Sequence, residues 1–441
     1  MSWKVSSRGA ASCPMLLFGT AALLVMNIPA PVEAAAFYLQ EQSVRGWGRA
    51  NSGEVADHGP SSLWWNPAAI GGTDRMRVSF GATGFLPQGR IRDDGTQIDR
   101  PLLAPAPVGG ASTLRDPVQK GAAPNFAIAL PVNDRIALGF SLTSPYSFTT
   151  DYDADGWQRY SAIRTRLITL DAQPSLAFMP SDWLSVGAAL NLQYSDALLS
   201  NALPNLAAGQ ADARLKLTGD GFHLGWSAGV QLRPAERLSL GIGYKSAVEH
   251  KLDGRVQISG LLGPLAGRNV DSDIVARFTT PWQLSIGARA GVTERLTLNA
   301  QAVRFGWSEF DAIRLSAPLN SAIVQNYKNT WSFAFGADAE ASEKLTVRAG
   351  IQFDPTPTRD DSRDPRVPDA DRVDYNFGTS YRMSERLTLD SAFGYTDFRR
   401  SAISRDERFY AGTAAQTDVL TDGSAVRQRA IVLSFGGRVD F

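Results

Sequence analysis

Apolar residues alternate with polar residues or glycine in many short stretches of this chain. In one stretch, apolar side chains occupy every second position from Leu238 to Tyr244, with serine and glycine between them. Such alternation predicts β-strands that have one apolar face. A short phrase of turn-forming residues with an acid precedes six of these strands. The six copies are Asn133-Asp134-Arg135-Ile136, Ser181-Asp182-Trp183-Leu184, Ala235-Glu236-Arg237-Leu238, Thr293-Glu294-Arg295-Leu296, Ser342-Glu343-Lys344-Leu345 and Ser384-Glu385-Arg386-Leu387.

Each phrase predicts a tight turn between two antiparallel strands. Adding a first strand from about Met76 to Phe85 and a last strand from about Val426 to Phe441 gives fourteen strands. A soluble sandwich would show the same alternation, but many runs reach the ~9 to 11 residues that a tilted strand needs to cross a bilayer. Within hydrocarbon, only a closed barrel pairs the backbone groups of all its strands. We therefore predict an all-β, 14-stranded antiparallel transmembrane β-barrel.

The connections between strands differ in length at the two ends of this barrel. The repeated turns are short, whereas 86 to 123, 355 to 370 and 399 to 425 are predicted as long polar loops. In outer membrane barrels the long loops lie outside the cell and the short turns lie in the periplasm.

The first 36 residues have the pattern of a secretory signal peptide. Lys4 and Arg8 precede an apolar run from Met15 to Ile28, and Ala34-Ala35-Ala36 offers the small residues that a signal peptidase requires. The apolar run is too short to span a bilayer comfortably as a helix. We predict that the mature protein begins near Phe37.

Composition and the chain ends narrow the possible partners. Cys13 is the only cysteine, so cleavage of a signal peptide would exclude disulfides and thiolate metal sites. Lysine plus arginine equals aspartate plus glutamate at 44 each, which gives a nucleic-acid partner no electrostatic support. The last strand ends in Phe441, and a terminal aromatic residue resembles the insertion signal that the barrel assembly machinery reads. Outer membrane lipid is the other expected partner.

Residues 37–72 differ from the barrel segment that we assign to residues 73–441. They lack sustained alternation and are dense in glycine and proline, which suits an irregular plug rather than a strand. A fourteen-stranded barrel leaves a passage unless something fills it. We expect residues 37–72 to form a hatch inside the lumen.

The mature chain contains several distinctive motifs. The most specific is the ordered block of prolines and charges from Arg363 to Asp369, followed by Asp371-Arg372. The other segments are Phe37–Ser43, Gly46–Ala50, Trp64-Trp65-Asn66-Pro67-Ala68, Trp157–Tyr160, Trp307–Phe310 and Asp354–Pro357. Together they resemble the motifs of one known family, the FadL-like long-chain fatty acid and hydrophobic compound transporters of the outer membrane. The resemblance extends from Phe37 to Phe441.

The resemblance implies a transport mechanism. In this family a hatch plugs the barrel, outer loops capture an apolar substrate, and the substrate leaves sideways through the wall. Asn66, Pro67 and Ala68 match the hatch motif and are expected to form its movable constriction. Ser144 and Pro145 are expected at a lateral opening in the third strand, because proline cannot donate to a neighbouring strand. The alternative is that Pro145 already lies in an outer loop and opens nothing.

Two apolar segments at loop positions are candidates for substrate capture. Exposed apolar patches of this kind usually mark binding surfaces, and the third and fourth outer loops bind substrate in the family. The alternative is that the two segments pack against each other and only roof the barrel. The candidate residues are Leu198, Leu199, Leu203, Leu206, Leu261, Leu262 and Leu265.

We expect passive uptake of long-chain fatty acids by a monomer, without a cofactor or metal, and aromatic hydrocarbons are the alternative substrates. Arg348, on the predicted lumen face, could bind a carboxylate or pair with an acid across the barrel. An outer membrane lipid hydrolase and a general porin are the competing classes. Against a hydrolase, His58, His223 and His250 lie in unrelated contexts and are predicted to be solvated surface residues. The predicted hatch and the apolar loops argue against a general porin.

Overall fold

Fourteen antiparallel strands close into a barrel around the N-terminal segment in the computed structural model, which describes residues 36–441. This confirms the predicted all-β, fourteen-stranded barrel. Four of the strands consist of two consecutive segments. The strands are β1 (Arg77–Asp93), β2 (Gly121–Asn133), β3 (Ile136–Thr143 and Phe148–Asp151), β4 (Arg164–Ser181), β5 (Leu184–Leu203), β6 (Ala213–Ala235), β7 (Leu238–Lys245 and Val248–Ser259), β8 (Val270–Thr280 and Gln283–Gly291), β9 (Leu296–Phe305), β10 (Thr330–Glu340), β11 (Leu345–Asp354), β12 (Arg372–Arg382), β13 (Leu387–Phe398 and Ser401–Phe409) and β14 (Thr417–Asp440).

The chain also forms short strands and short helices outside the fourteen barrel strands. Five small strands lie in the connections, at Gln97–Asp99, Ala106–Pro107, Thr113–Arg115, Ala312–Leu315 and Ser321–Val324. The one α-helix in residues 36–441 is α1 (Val44–Trp47), and the 3-10 helices are Glu54–Ala56, Pro60–Ser62, Pro67–Ile70, Gly263–Arg268 and Trp307–Glu309. Over the same residues, no helix is both long enough and apolar enough to cross a membrane.

The barrel closes where β1 pairs with β14. Their register runs from Arg77 opposite Asp440 to Asp93 opposite Gly423. All six repeated phrases form the short turns at one end, which we call the turn end. In the first of them, the Asn133 side chain accepts hydrogen bonds from the backbone amides of Arg135 and Ile136, as in an Asx turn. The opposite end, which carries the long connections, is the loop end.

The apolar faces of the strands point outward. On β6, Phe222 and Leu224 are each 70% exposed, whereas His223 between them is 7% exposed. A soluble barrel would bury the apolar positions instead, so this inversion is the arrangement that a lipid environment requires. The alternation read from the sequence is therefore that of a membrane barrel.

The strands continue further toward the loop end than the sequence indicated. β1 reaches Asp93 and β14 begins at Thr417, so much of the predicted loops 86 to 123 and 399 to 425 is paired strand. Above the hydrocarbon both faces of a strand can be polar, and the alternation that marks a strand in sequence is lost there. The connection 355–371 contains no strand, as predicted.

An N-terminal segment, Ala36–Thr73, occupies the inside of the barrel, and we call it the lumen segment. Every residue in it is buried except Arg45, His58 and Gly72, which are partly buried. Its short helices contact the inner faces of strands around much of the wall. The predicted signal peptide, with Lys4, Arg8 and Cys13, lies outside the described residues apart from Ala36.

Candidate functional site

Asn66 holds together the turn that the sequence singled out. It caps the 3-10 helix Pro67–Ile70: its side-chain oxygen accepts a hydrogen bond from the Ala68 amide at 2.9 Å. Its Nδ2 donates to the carbonyl oxygen of Val55, at 2.8 Å, and to that of Val230 on β6, at 3.1 Å. Pro67 suits the first helical position because its fixed φ is already helical and no hydrogen bond needs its nitrogen. One side chain thus joins this helix, another turn of the lumen segment and the barrel wall.

The wall meets this turn through two glycines. A Cβ at Gly229 would lie 2.0 Å from the Asn66 side-chain oxygen, and one at Gly187 would lie 2.4 Å from the Ala68 nitrogen. The Ser185 hydroxyl donates to the Ala68 carbonyl at 2.9 Å. Any side chain at either glycine would displace the turn, so β5 and β6 have to present bare backbone here.

Another part of the lumen segment is attached to a different part of the wall, at β10, by ion pairs. The guanidinium of Arg49 is fully buried and pairs with Glu54, with Asp57 at 2.5 Å and, on β10, with Asp338 at 3.4 Å. Buried ion pairs are costly to break, because removal of one partner leaves an uncompensated charge. No local sequence pattern indicates this network, because Arg49 and Asp338 lie 289 residues apart.

Asp338 also forms ion pairs with two arginines of the barrel wall. Arg289 on β8 lies 3.1 Å away and Arg348 on β11 lies 2.5 Å away. Arg348 therefore faces the lumen, as predicted, and it takes the ion-pairing alternative. Burial would raise the pKa of Asp57, but the guanidinium of Arg289 and two others hold it well below its usual range.

The third strand is interrupted at the predicted proline. β3 pairs with β2 as far as Leu142, and it resumes at Phe148–Asp151 against β4. Pro145 lies in the interruption between these paired stretches. On the other side of the break, residues 121–125 of β2 pair with β1 but, within the described chain, have no ladder with β3. The wall between β2 and β3 is therefore unpaired at this level.

The interrupted stretch bonds to the lumen segment instead of to β2. Leu39 donates its amide to the Pro145 carbonyl at 2.7 Å, and Ser147 donates to the Phe37 carbonyl at 3.1 Å. The Ser144 hydroxyl donates to a carbonyl of β4 at 2.7 Å. The first residues of the lumen segment thus act as a short strand beside the unpaired wall.

An apolar cavity lies next to these residues, with about 770 Å³ of space including open solvent. Phe37 lies between the cavity and the interrupted stretch. It lines the cavity, and its ring centroid lies 5.9 Å from that of Tyr146 in the interrupted stretch. Binding sites for small organic ligands typically have apolar walls that carry a few polar groups. The apolar lining residues are Phe37, Phe148, Leu167, Ala197, Leu199, Leu217, Leu252, Ile274, Ala276, Phe278, Phe310, Ile313, Leu315 and Val367.

The lining also includes a few polar side chains, among them Gln325, Arg166 and Arg366. Arg366 is buried, and one of its terminal nitrogens pairs with Asp364 at 2.5 Å. Its Nε has no hydrogen-bond partner among the described residues. A buried N–H without a partner costs free energy that a bound anion could recover.

Five of the seven predicted capture leucines, including Leu199, belong to one apolar cluster. Leu198, Leu199 and Leu203 lie in β5 rather than in a loop, because that strand extends past the apolar band; Leu206 lies in the following connection. Only Leu199 lines the cavity. Leu203, Leu261 and Leu265 are buried in that cluster with the partly buried Leu206, whereas Leu262 is 47% exposed.

The prediction of solvated histidines was wrong for two of the three. His223 on β6 and His250 on β7 are buried on the lumen side, with ring centroids 4.6 Å apart. Their strands continue well past them, so both histidines occupy interior positions of strands. No set of three or more metal-ligating side chains occurs in residues 36–441. His58 in the lumen segment lies 2.8 Å from a nitrogen of Arg233.

Comparison with known proteins gives a consistent match along the chain. The family described as "Outer membrane protein transport protein (OMPP1/FadL/TodX)" matches residues 25–441. A long-chain fatty acid transport protein of Escherichia coli O6:H1 is 23% identical, covering 88% of this chain and 92% of its own.

Two solved structures share the fold. The crystal structure of a Pseudomonas aeruginosa FadL homologue has a TM-score of 0.80 and 24% identity, and the match covers 92% of this chain and 100% of that one. The CymD monoaromatic hydrocarbon channel has a TM-score of 0.63 and 17% identity, with 92% and 99% covered.

Proposed function

Because this chain belongs to the outer membrane transport protein family OMPP1/FadL/TodX, we propose that it takes up hydrophobic compounds passively, with long-chain fatty acids as its substrates. The observation that carries this proposal is the apolar cavity with Phe37 of the lumen segment in its lining. An apolar molecule gains free energy by leaving water for such a cavity. A hydrated pore would offer it no comparable stabilisation.

The proposed route runs from the loop end through the cavity to the side of the barrel. Leu262 and Leu206 would provide first contact near the loop end, and Leu199 leads into the cavity. Phe37 separates the cavity from the unpaired wall between β2 and β3. Movement of the lumen segment, with the Asn66–Ala68 turn as its constriction, would then open a path past Ser144 and Pro145 into the membrane.

Arg366 favours a fatty acid over a hydrocarbon. A carboxylate could accept the unpartnered Nε–H of this buried guanidinium, whereas an aromatic hydrocarbon has no group that needs it. The name of the Escherichia coli relative, a long-chain fatty acid transport protein, also favours a fatty acid. Aromatic hydrocarbons remain the second candidate because the CymD channel is named for them.

Neither competing class has comparable support. The Ser195 hydroxyl lies 3.0 Å from His250 Nδ1, but the other ring nitrogen faces the Thr280 hydroxyl at 3.2 Å rather than an acid. That is not the arrangement of a hydrolytic triad, in which an acid orients the histidine. A general porin would need an open lumen, and the lumen segment occupies it. We propose a monomeric transporter, not an enzyme, inserted by the barrel assembly machinery through its exposed terminal Phe441.

Ligand binding to the purified protein tests the cavity. Ala276 lines it, so Ala276→Phe should fill part of its volume and weaken oleate binding at least tenfold. Ala82→Phe places the same side chain at an exposed position on the outer face of β1 and should leave binding unchanged. Equal oleate affinity in Ala276→Phe and wild type, with both barrels folded, would place the substrate site elsewhere.

A further inference from the structure

A second large recess lies on the outer face of the barrel, where β13, β14 and β1 meet. It has about 1060 Å³ of space including open solvent, and we call it the arginine cleft. It is independent of the transport route, because its charged side chains lie on the outward face of the wall. Its lining residues are Gln88, Gly89, Arg90, Arg115, Asp116, Tyr395, Asp397, Arg427, Gln428 and Arg429.

The arginine cleft begins directly above the apolar band. On β14, Arg427 and Arg429 continue the outward positions that Ile431, Leu433 and Phe435 occupy closer to the turn end. Long connections mark the outside of an outer membrane barrel. The arginines therefore lie where the hydrocarbon of the outer leaflet gives way to its head groups.

The four arginines of the cleft lack acidic partners. Within residues 36–441, none of Arg90, Arg115, Arg427 and Arg429 lies within 4.0 Å of a carboxylate oxygen. Four arginines against two aspartates leave a formal charge of +2. Some other arginines on the loop-end surface do have acidic partners, as Arg255 has in Asp271 at 2.5 Å.

The backbone at the arginine cleft departs from regular strand geometry. The register of β1 and β14 slips between Gln88 and Arg90, and Arg427 has a left-handed φ of 54° in the resulting bulge. Bulges bend a strand and re-aim its side chains. Arg429 is oriented by two hydrogen bonds to the Gln88 side chain, at 3.0 and 2.8 Å. These bonds engage Nε and one terminal nitrogen and leave the other terminal nitrogen free.

We propose that the arginine cleft binds the phosphate groups of lipid A, the phosphorylated glycolipid of the outer leaflet. Guanidinium groups match phosphate geometry through paired hydrogen bonds, and basic recesses beside a bilayer bind anionic head groups. The exposed apolar side chains below the cleft, including Leu86, Phe393 and Ile431, would contact the acyl chains of the same molecule. Soluble phosphate would use only the upper half of this surface.

Lipid binding to the full mature protein in detergent tests this proposal. Native mass spectrometry would compare bis-phosphorylated lipid A with dephosphorylated lipid A, for wild type and for the combined variant Arg90→Gln, Arg427→Gln, Arg429→Gln. We expect wild type to prefer the phosphorylated lipid and the variant to bind it roughly 100-fold more weakly, at about fivefold per arginine. Arg255→Gln, which removes a paired arginine at the same end, should retain wild-type binding.

Two further measurements keep the test decisive. Asp397→Asn removes a negative charge from the cleft and should tighten lipid A binding several-fold, even if the combined variant fails to fold. Inorganic phosphate at millimolar concentration should not displace lipid A. Unchanged lipid A affinity in the folded combined variant, weaker binding in Asp397→Asn, or full displacement by inorganic phosphate would each overturn the proposal.

Discussion

Replacement of Gly229 by alanine should loosen the constriction without unfolding the barrel. The new Cβ would lie 2.0 Å from the Asn66 side-chain oxygen, against an ordinary contact of at least ~3.4 Å, so the Asn66 side chain has to move by more than ~1 Å. That movement breaks its hydrogen bonds to Ala68, Val55 and Val230. At about 1 kcal/mol for each bond, the closed turn loses roughly 2 to 4 kcal/mol. The displaced turn should then be populated about 30- to 1000-fold more often.

Amide hydrogen exchange measures this population directly. A peptide spanning residues 63–72 should exchange about 30- to 1000-fold faster in Gly229→Ala than in wild type, while peptides from β9 to β12 keep their protection. Gly84→Ala is the matched control, because the nearest atom to its new Cβ is 3.8 Å away. Wild-type exchange of the 63–72 peptide in Gly229→Ala would refute the proposed role of Asn66 as the fastening of this turn.

Three other changes test separate parts of the account. Pro145→Val should reduce oleate uptake severalfold in cells without lowering the amount of folded barrel, and unchanged uptake would remove Pro145 from the exit. Arg366→Gln should weaken oleate binding about tenfold but leave toluene binding unchanged in a calorimetric titration; equal losses would mean that Arg366 only supports the fold. Burial, with a contribution from Asp374, raises the pKa of the Glu41 carboxyl from 4.5 to about 8 against the opposing effect of Arg372. Since the unfolded chain releases this proton first, stability should fall as pH rises from 4.5 to 8, by up to about 1.4 kcal/mol per pH unit. Glu41→Gln should flatten that slope in denaturant titrations, and an unaltered slope would contradict the assignment.

The sequence predicted the parts of this fold that depend on neighbouring residues. The six turns are local, because a side chain such as that of Asn133 or Ser384 bonds to amides two and three residues ahead. Strand alternation also survives wherever one face of a strand meets lipid.

The sequence could not predict features that depend on distant residues. Arg49 in the lumen segment pairs with Asp338 on the barrel wall, and no local pattern links them. The cavity is lined from β3 to β8, from the lumen segment and from two connections, so its residues share no spacing in the sequence. The leucines predicted to capture substrate illustrate the difference. Their apolar character was clear, but only the structure shows that Leu199 and Leu203 pack in the same cluster and that, of these two, Leu199 lines the cavity.

Uptake of labelled oleate and labelled toluene tests the central claim most directly, in cells that lack their own transporter and either do or do not produce this protein. The proposed fatty acid function predicts that the protein increases oleate uptake and that excess toluene does not suppress the increase. Toluene uptake without oleate uptake would contradict the claim and identify a hydrocarbon channel instead.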